Sequence, residues 1–401
     1  MPFQCNTCGD TRFKRVEIRG DGKRVLFCAT CTMGMIEDPP SSTDRFYEDG
    51  YYGGVTGNAD GYHDYELTAA HTQLWVQLLI MALEPEPARQ EAAGQDPLPQ
   101  EQVRILDIGC ADGTMLHGLP EHFSKHGIEA NAAAAGIAAT RGVTIVSSDV
   151  ADPRLAALDG TFDIVSSIAT FEHVLDMRGA FEVALRLLKP HGLLLFEVPL
   201  MSDTADNKDW LHGSYEHITY PTVTGLAHLL DGMSGILWRG VESQIKDFSA
   251  SYIGLVTRCE HRRERADQLM RAMCASGDPS TLTIEERRLN ISYKLVHSFE
   301  ARPEHVLALP DLFEVARSKP LLRRLSQMWH ADALTARNAE YYQQQAQNWH
   351  AAYDNLHKVT VALQDRLALL DSAAVSDTAN ARDEATLQQP SAPNDAGERS
   401  L

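Results

Sequence analysis

The central part of the sequence predicts an α/β fold with a doubly wound, largely parallel sheet. Between residue 103 and about residue 258, short apolar runs alternate with longer helical stretches. Such alternation is typical of βαβ units, in which a helix connects two parallel strands. Because ligands of these sheets bind beyond the carboxyl ends of the strands, the loops after the first five strands are expected to surround one crevice. The predicted strands are 104–108, 126–129, 143–147, 162–167, 192–198, about 235–242 and 250–257.

Four cysteines near the N-terminus predict a structural zinc site in a module of residues 1–40. They form two Cys-x-x-Cys pairs separated by nineteen residues, a spacing typical of four-cysteine zinc sites. Four thiolates complete a tetrahedron and leave the ion no open position for catalysis. Thioredoxin-like redox pairs and four unrelated thiols are the alternatives. The segment between the pairs predicts two short strands around Gly20-Asp21-Gly22. The expected ligands are Cys5, Cys8, Cys28 and Cys31.

The regions on either side of the predicted sheet differ in composition. Residues 41–102 combine an aromatic, glycine-rich segment at 44–65, an amphipathic helical pattern at 66–83 and a proline-rich linker. The aromatic segment suits either a lid over a ligand or packing against the next domain. Residues 259–335 are charged, contain leucines and predict helices.

The last part of the chain predicts a coiled coil. From Tyr342 to Leu370, mostly apolar residues recur at alternating spacings of four and three. This heptad stripe favours a coiled coil over residues 336–371, and with it a homo-oligomer; one long helix packed on its own chain is the alternative. Residues 372–401 contain almost no large apolar groups and are expected to be disordered.

Charge and hydrophobicity exclude several classes of function. The chain has 401 residues and a formal net charge of −19, so the phosphates of nucleic acids and anionic lipids would repel it. No window of about 18 unbroken apolar residues is present, and we therefore expect no membrane span. The first residues lack the charged start of a signal peptide, which favours a cytoplasmic protein whose thiols stay reduced.

The loop after the first predicted strand is the strongest indication of a ligand. It lies in the sequence ILDIGCADGTML, residues 105–116. A dinucleotide-binding loop would read Gly-x-Gly-x-x-Gly, but only Gly109 is in place, with Ala111 and Thr114 at the other two positions. A loop that turns a strand into a helix and binds nothing is a further alternative. Gly109 and Gly113 nevertheless allow the backbone to approach a ligand, and Asp107 ends the strand.

Two further acids follow the next two strands and indicate an adenosine cofactor without phosphates. Glu129 can accept both hydroxyls of a ribose, and Asp149 can accept an adenine amino group. No lysine or arginine is placed to neutralise a pyrophosphate. S-Adenosylmethionine joins adenosine to a cationic amino-acid end, which Asp107 would face.

Five successive segments resemble the motifs of class I S-adenosylmethionine-dependent methyltransferases in order and spacing. They are ILDIGCADG, GIEAN, SSDVAD, FDIVSSIATFEHV and ALRLLKPHGLLLFEVP, within residues 66–258. The resemblance implies a seven-stranded, Rossmann-like sheet whose last strand runs antiparallel. Ala111 departs from it, because many members have a glycine there, and Cys110 would contribute its backbone rather than its sulfur. The implied cofactor positions are Asp107, Gly109, Cys110, Ala111, Gly113, Glu129 and Asp149.

Two Glu-His pairs are the candidates for catalysis. Glu172-His173 follows the fourth strand, where a histidine in many class I methyltransferases is structural or lines the cofactor. Tyr215 and the pair Glu216-His217 follow the fifth strand, in a loop that opens on the same crevice. A neutral imidazole can take a proton from a hydroxyl or an acidified carbon. His217 is therefore the favoured base and His173 the alternative, unless Glu216-His217 only ties down its loop.

A narrower resemblance concerns the zinc-bearing sugar C-methyltransferases of deoxysugar pathways. That group combines a four-cysteine module with a Tyr-His-Glu-His stretch in the sugar site. Glu216 and His217 match the last two positions, but Ser214 replaces the tyrosine. That family continues into a second α/β domain, whereas helices and a heptad stripe follow here. In this respect the chain is more similar to bacterial surface-polysaccharide enzymes.

These features predict O-methylation of a sugar hydroxyl during cell-surface glycan assembly, with His217 removing the hydroxyl proton. The coil would bind other glycan-assembly proteins. The alternatives are C-methylation of a nucleotide-linked keto-deoxysugar, a non-catalytic assembly scaffold with an inactive methyltransferase domain, and methylation of a protein or small metabolite.

Overall fold

The computed structural model describes most of the chain before residue 298. All the described residues belong to one compact unit, which spans residues 1–331. The predicted aromatic segment 44–65, the coiled coil 336–371 and the tail 372–401 lie outside the described residues. The described ranges are 3–41, 74–85, 102–201, 210–213, 215–243, 251–276 and 281–297.

Strands and helices alternate through most of these ranges. The strands are β1 (Phe13–Ile18), β2 (Arg24–Cys28), β3 (Gly34–Ile36), β4 (Val103–Ile108), β5 (Phe123–Ile128), β6 (Thr144–Ser147), β7 (Phe162–Ile168), β8 (Leu188–Pro199), β9 (Thr219–Tyr220), β10 (Leu237–Ser243) and β11 (Ser251–Thr257). The α-helices are α1 (Leu74–Ala82), α2 (Thr114–His117), α3 (Ala132–Thr140), α4 (Met177–Leu187), α5 (Trp210–Gly213), α6 (Val223–Asp231), α7 (Glu260–Cys274) and α8 (Ile284–His297). Short 3-10 turns occupy Pro153–Leu158 and Phe171–His173.

Seven strands form the central sheet, in the order β10-β11-β8-β7-β4-β5-β6. Within this sheet only β11 runs against the others, since it pairs antiparallel with both β10 and β8. The remaining neighbours are parallel. The strand order reverses between β4 and β7, and such a reversal is where open α/β sheets bind ligands. The predicted doubly wound, Rossmann-like fold with its antiparallel last strand is confirmed.

Both faces of the central sheet are buried, which is why its strands read as unbroken apolar runs. Strand β8 shows the arrangement. Its Leu193 and Leu195 join a core with α1, α7 and α8, whereas Leu194 and Phe196 join a core with α4 and α6. The C-terminal helices α7 and α8 are therefore part of the layer that covers one face of the sheet.

A second, antiparallel sheet contains the N-terminal residues, in the order β1-β2-β3-β9. Strands β1 and β2 are connected at Gly20-Asp21-Gly22, and this confirms the predicted hairpin. Strand β9 comes from the central part of the chain, and its Thr219 pairs with Met35 of β3. The N-terminal module and the segment that contains His217 therefore share one sheet.

Helix α1 differs from the amphipathic helix predicted at 66–83. Its side chains from Trp75 onward are mostly buried, and even Gln77 is enclosed, donating to the Met115 carbonyl at 2.5 Å. Trp75 packs edge-on against Tyr293 of α8, with ring centroids 6.0 Å apart. Contact with the C-terminal helices gives α1 its second buried side. Among the described residues, no helix has both the length and the apolar character that crossing a membrane requires.

Candidate active site and metal centre

The four cysteines of the N-terminal module converge on one point. Their sulfurs approach to 3.5 Å in two pairs, Cys5 with Cys31 and Cys8 with Cys28. All four sulfurs lie within 4.8 Å of one another. Thiolates about 2.3 Å from a common Zn²⁺ would be about 3.8 Å apart. The donor set therefore fits a tetrahedral ion.

Two similar turns produce this convergence. The N–H of Gly9 donates to the Cys5 carbonyl, and the N–H of Thr32 donates to the Cys28 carbonyl. Each donor follows the second cysteine of its pair and has a positive φ, 77° at Gly9 and 63° at Thr32. Thr32 is unusual in this conformation because its side chain is β-branched. Its hydroxyl shares a hydrogen bond of 2.6 Å with the hydroxyl of Thr222, which links the four-cysteine module to the start of α6.

The loop after β4 has the backbone shape of a ligand cradle. Gly109, Ala111 and Gly113 all have positive φ, of 80°, 48° and 76°. A side chain at Gly109 would clash with Thr170, which follows β7, so this glycine allows the two loops to meet. Ala111 takes the left-handed conformation at a cost of about 1 kcal/mol, which a glycine would avoid. Ala111 therefore keeps the positive φ that a glycine would have at this position.

Glu129 holds this loop from the end of β5. The buried carboxylate accepts the N–H of Ala111 through Oε2 and the N–H of Asn131 through Oε1, both at 2.8 Å. The two backbone bonds hold the carboxylate in a fixed orientation at the end of β5. The backbone N–H of Glu129 donates to the Ser147 carbonyl, which brings the ends of β5 and β6 together.

Asp149 lies just beyond β6 with an exposed side chain, and its Oδ1 accepts the N–H of Ala151 at 2.8 Å. Arg141, which binds the loop after β4, carries no signal of this role in the sequence. Its Nη1 lies 2.6 Å from Asp112 Oδ2 and also donates to the Thr114 hydroxyl at 2.6 Å. This ion pair joins two loops that are far apart in sequence, so only the folded chain reveals it.

Asp107 is buried at the end of β4, where its Oδ1 accepts a hydrogen bond of 2.7 Å from the Ser166 hydroxyl of β7. Burial raises the pKa of Asp107 to about 7; the bond from Ser166 opposes this rise and the charge of Glu129 adds to it. A nearby cation would favour the ionised form. The carboxyl group is therefore sensitive to a positively charged ligand.

Cys110 contributes to the loop through its backbone. Its N–H donates to the Ile128 carbonyl at 3.1 Å. Its sulfur is buried against Gly127 of β5, at a distance that leaves no room for a side chain on that glycine. Burial raises the pKa of the Cys110 thiol above its ordinary value. The sulfur is thus a packing group between loop and sheet.

The turn after β7 brings the two predicted Glu-His pairs together. Glu172 Oε1 lies 3.3 Å from His173 Nε2 and 4.0 Å from His217 Nε2. All three side chains are buried, and the two imidazoles meet edge-on with centroids 4.9 Å apart. The N–H of Ile218 donates to the Glu172 carbonyl at 2.9 Å. The carboxylate found beside His217 is therefore Glu172, from the other pair.

The surroundings of the two histidines shift their pKa values in opposite directions. Burial, with the positive charges of His173 and Arg19, holds the pKa of His217 well below its ordinary value. Burial also opposes charge on His173, but the adjacent Glu172 outweighs it and raises the His173 pKa. His217 is consequently neutral near pH 7, which is the state that a general base requires.

Glu216 and Tyr215 flank this cluster. Glu216 is buried, and its charge contributes to the raised pKa of His173. Tyr215 is half-buried, and the guanidinium carbon of Arg19 lies 5.5 Å from the centroid of its ring. Ser214 lies outside the described residues.

Two neighbours of the cluster carried no signal in the sequence. Glu197 is buried at the end of β8, and burial raises its pKa to about 7, opposed by a bond from Ser251 and assisted by the charge of Glu172. Trp210 packs its ring against His217, with centroids 5.4 Å apart. An acid in an apolar strand and a tryptophan in a loop are both common, and only the fold brings Glu197 near Glu172 and Trp210 against His217.

Residues 75–233 match a family model described as a methyltransferase domain. This part of the chain is a class I methyltransferase domain. The match includes the loop after β4, Glu129, Asp149 and both Glu-His pairs, and it ends before β10.

The similar proteins cover only part of the chain. A ubiquinone biosynthesis O-methyltransferase of Cereibacter sphaeroides is 35% identical over 108 residues, which are 25% of this chain and 42% of that protein. The corresponding protein of Rhizobium etli is 32% identical over 112 residues, 26% of this chain and 45% of its own length. The chain thus aligns with less than half the length of these curated relatives.

Solved structures also resemble part of the chain. An S-adenosylmethionine-dependent methyltransferase of Mesorhizobium loti has 20% identity and a TM-score of 0.32, over 40% of this chain and 93% of that chain. An arsenic(III) S-adenosylmethionine methyltransferase of Chlamydomonas reinhardtii has 18% identity and a TM-score of 0.31, over 45% of this chain and 72% of that chain.

Proposed function

We propose that the protein transfers the methyl group of S-adenosylmethionine to the oxygen of a sugar hydroxyl during cell-surface glycan assembly. The methyltransferase domain and relatives named O-methyltransferases support methyl transfer to oxygen. The sugar acceptor rests on the sequence resemblance to zinc-bearing sugar methyltransferases and surface-polysaccharide enzymes. The observation that carries the proposal is the buried cluster of Glu172, His173 and His217. Glu172 and His173 directly follow β7, the strand that pairs with β4.

The residues around the β4 loop fit the cofactor. Glu129 would accept the ribose hydroxyls, because its carboxylate is held at the end of β5 by the N–H groups of Ala111 and Asn131. Asp149 would accept the adenine amino group. Asp107 would face the cationic methionine end, and that charge would favour its ionised form. When bound, the cofactor supplies an electrophilic methyl group on a positively charged sulfur.

At the acceptor side, His217 would take the hydroxyl proton. We assign the ring proton of neutral His217 to Nε2, because that nitrogen faces the Glu172 carboxylate at 4.0 Å. Nδ1 then carries the lone pair, and it is buried with no hydrogen-bond partner among the described residues. Once Nδ1 accepts the proton, the negative Glu172 stabilises the resulting imidazolium. Most of the remaining rate acceleration would come from holding the acceptor oxygen in line with the methyl carbon.

Incubation with methyl-labelled S-adenosylmethionine and a panel of sugar nucleotides and surface glycans tests this proposal. We expect label in an ether on a sugar hydroxyl, and a loss of about 100-fold to 10,000-fold in rate for His217→Gln. S-Adenosylhomocysteine should bind this variant as tightly as it binds wild type, as measured by calorimetry. The matched control is His191→Gln, because His191 is exposed on β8.

Three outcomes would contradict the proposal in different ways. No binding of S-adenosylhomocysteine at high micromolar concentration would leave only a scaffold role for the domain. Label in an acceptor without sugar, such as a quinol precursor or a protein, would overturn the acceptor class. Solvent exchange of the proton next to a keto-sugar carbonyl, without methyl transfer, would indicate C-methylation instead.

We further propose that the four-cysteine cluster holds one structural Zn²⁺. The convergence of the four sulfurs supports this assignment. Four thiolates leave no position for a substrate, so the ion would stabilise the module and take no part in the chemistry.

A further inference from the structure

Arg19, on the hairpin of the N-terminal module, lies deep in the interface with the methyltransferase domain. Its side chain is only 1% exposed. Two of its nitrogens bind the Asp21 carboxylate in a fork, Nε to Oδ1 at 2.9 Å and Nη2 to Oδ2 at 2.6 Å. A buried guanidinium held in this way has a fixed orientation, because both ends of the fork are occupied.

The third nitrogen of Arg19 points into the candidate active site. Nη1 donates to the His217 carbonyl at 2.8 Å and to the Tyr220 hydroxyl at 3.1 Å. The next N–H along the chain, that of Ile218, donates to the Glu172 carbonyl at 2.9 Å. The single peptide unit between His217 and Ile218 is therefore held on one edge by the hairpin and on the other by the turn after β7.

This double attachment sets the distance between His217 and Glu172. A peptide unit is planar and includes the Cα atoms on either side, so fixing its carbonyl and its N–H fixes the position of the His217 Cα, from which the side chain extends. Strand pairing extends the attachment, since the N–H of Ile36 donates to the Ile218 carbonyl at 3.0 Å. The N–H of Gly20 also donates to the Leu211 carbonyl at 2.8 Å, next to Trp210.

We propose that Arg19 is the positioning residue of the acceptor site, and that the N-terminal metal module is thereby a component of the active site. The inference rests on the proposed function, in which His217 is the base. It implies that the module affects the acceptor half of the reaction through the His217–Ile218 peptide. Cofactor binding, which depends on the loops after β4 to β6, should not respond to Arg19.

The charged and titratable groups around His217 come from four elements. The hairpin contributes Arg19, the turn after β7 contributes Glu172 and His173, and the segment before β9 contributes Glu216. Tyr220 of β9 has its ring centroid 6.1 Å from that of His217. A change at Arg19 removes one of the two positive neighbours and leaves the other groups in place.

The test compares Arg19→Met with wild type in full-length protein. Nitrogen-15 labelling of histidine allows His217 to be titrated by NMR, with His217→Gln assigning its signal. We expect the His217 pKa to rise toward its ordinary value, because a positive neighbour is lost and the imidazole gains mobility. Amide exchange at residues 217–220 should accelerate about tenfold or more, as the peptide loses one attachment. Zinc content and S-adenosylhomocysteine affinity should match wild type.

Arg24→Met is the matched control, because Arg24 lies on the same hairpin but pairs with Glu37 at the surface. If the Arg19→Met protein loses its zinc, Asp21→Asn is tested in its place. This change breaks the fork between Arg19 and Asp21 and keeps the positive charge of Arg19. Asp21→Asn should accelerate exchange at residues 217–220 with a smaller change in the His217 pKa.

An Arg19→Met protein with normal zinc content, an unchanged His217 titration and unchanged exchange would overturn the inference. Failure of the proposed function has a different signature. In that case wild-type protein would not bind S-adenosylhomocysteine, whatever the result at Arg19.

Discussion

The cofactor side and the acceptor side of the candidate site are built differently. The cofactor side consists of short loops after three adjacent parallel strands, β4, β5 and β6, and each loop contributes an acid or a glycine close to its own strand. The acceptor side combines the hairpin of the N-terminal module, the turn after β7 and the segment before β9. One half is local in sequence, and the other depends on contacts between residues almost two hundred positions apart.

This difference implies that the two halves can be damaged separately. Changes in the four-cysteine module should affect His217 and leave cofactor binding in place. Changes at Glu129, at the end of β5, should weaken cofactor binding and leave the surroundings of His217 unchanged. The following predictions test that separation, beginning with the largest effect.

Loss of the metal should have the largest effect. Cys28→Ser removes one of the four ligands, and structural zinc sites contribute on the order of 10 kcal/mol to folding. We expect the zinc content to fall from one per chain to none, and amide exchange at residues 217–220 to rise about 100-fold or more. S-Adenosylhomocysteine affinity should remain within about threefold of wild type, because the residues assigned to the cofactor all come from the loops after β4, β5 and β6. The control is Cys274→Ser, at an exposed cysteine. An equal loss of cofactor affinity would show that the two halves are not separable.

Glu129→Ala should produce the next largest effect, on the cofactor side alone. The change removes the acceptor for the ribose and leaves the N–H groups of Ala111 and Asn131 without their partner. Lost hydrogen bonds to a charged group are worth about 1.5–3 kcal/mol each, so S-adenosylhomocysteine affinity should fall about 100-fold in calorimetry. The exposed Glu121→Ala is the control. Affinity within twofold of wild type would remove Glu129 from the cofactor site.

The pKa of Asp107, raised to about 7, predicts a moderate pH effect. A cationic ligand favours the ionised form, so S-adenosylmethionine affinity should rise about tenfold between pH 6 and pH 8 and then level off. Asp107→Asn should bind more weakly and show no such rise. In the free protein the contribution of Asp107 to stability is fully present below its unfolded pKa of about 3.9 and is lost as pH rises through about 7. A flat affinity profile in wild type would contradict the role of Asp107.

The smallest effect is expected at Ala111, which has a φ of 48°. Ala111→Gly relieves the left-handed strain, and the lost methyl burial offsets part of the gain, so the free energy of unfolding should rise by up to about 1 kcal/mol. Thermal unfolding measures the change. The same substitution at Ala138, in helix α3, should destabilise by about 1 kcal/mol or more, because glycine is unfavourable in a helix. Destabilisation at both positions would mean that the loop is not strained.

The sequence predicted the fold because its strands and loops leave local patterns, and the prediction of the cofactor residues rests on the same patterns. Strand β4 is an apolar run that ends in Asp107 and a glycine loop, and Glu129 ends the next strand. The conformation of Ala111 could not be predicted in this way. An alanine in place of a glycine suggests that the loop has a different conformation. Ala111 nevertheless has a positive φ, and its N–H donates to the Glu129 carboxylate, which holds it in the left-handed region.

The acceptor side was predicted only in its components. The sequence identifies both Glu-His pairs, but it does not show which glutamate lies beside which histidine. In the folded chain Glu172 lies beside both His173 and His217. Adjacent residues in a turn point in different directions, so adjacency in sequence does not predict which side chains meet.

The sequence by itself determined the doubly wound sheet, the glycine-containing loop after β4 and the four-cysteine spacing. Each of these depends on residues a few positions apart, whose geometry follows from strand, turn and knuckle conformations. Only the tertiary structure decided that β9 completes the N-terminal sheet, that Arg19 binds the His217 carbonyl and that Glu172 lies between two histidines. These contacts join distant segments, and their energies depend on burial and orientation, which exist only once the sheet and its covering layers have formed.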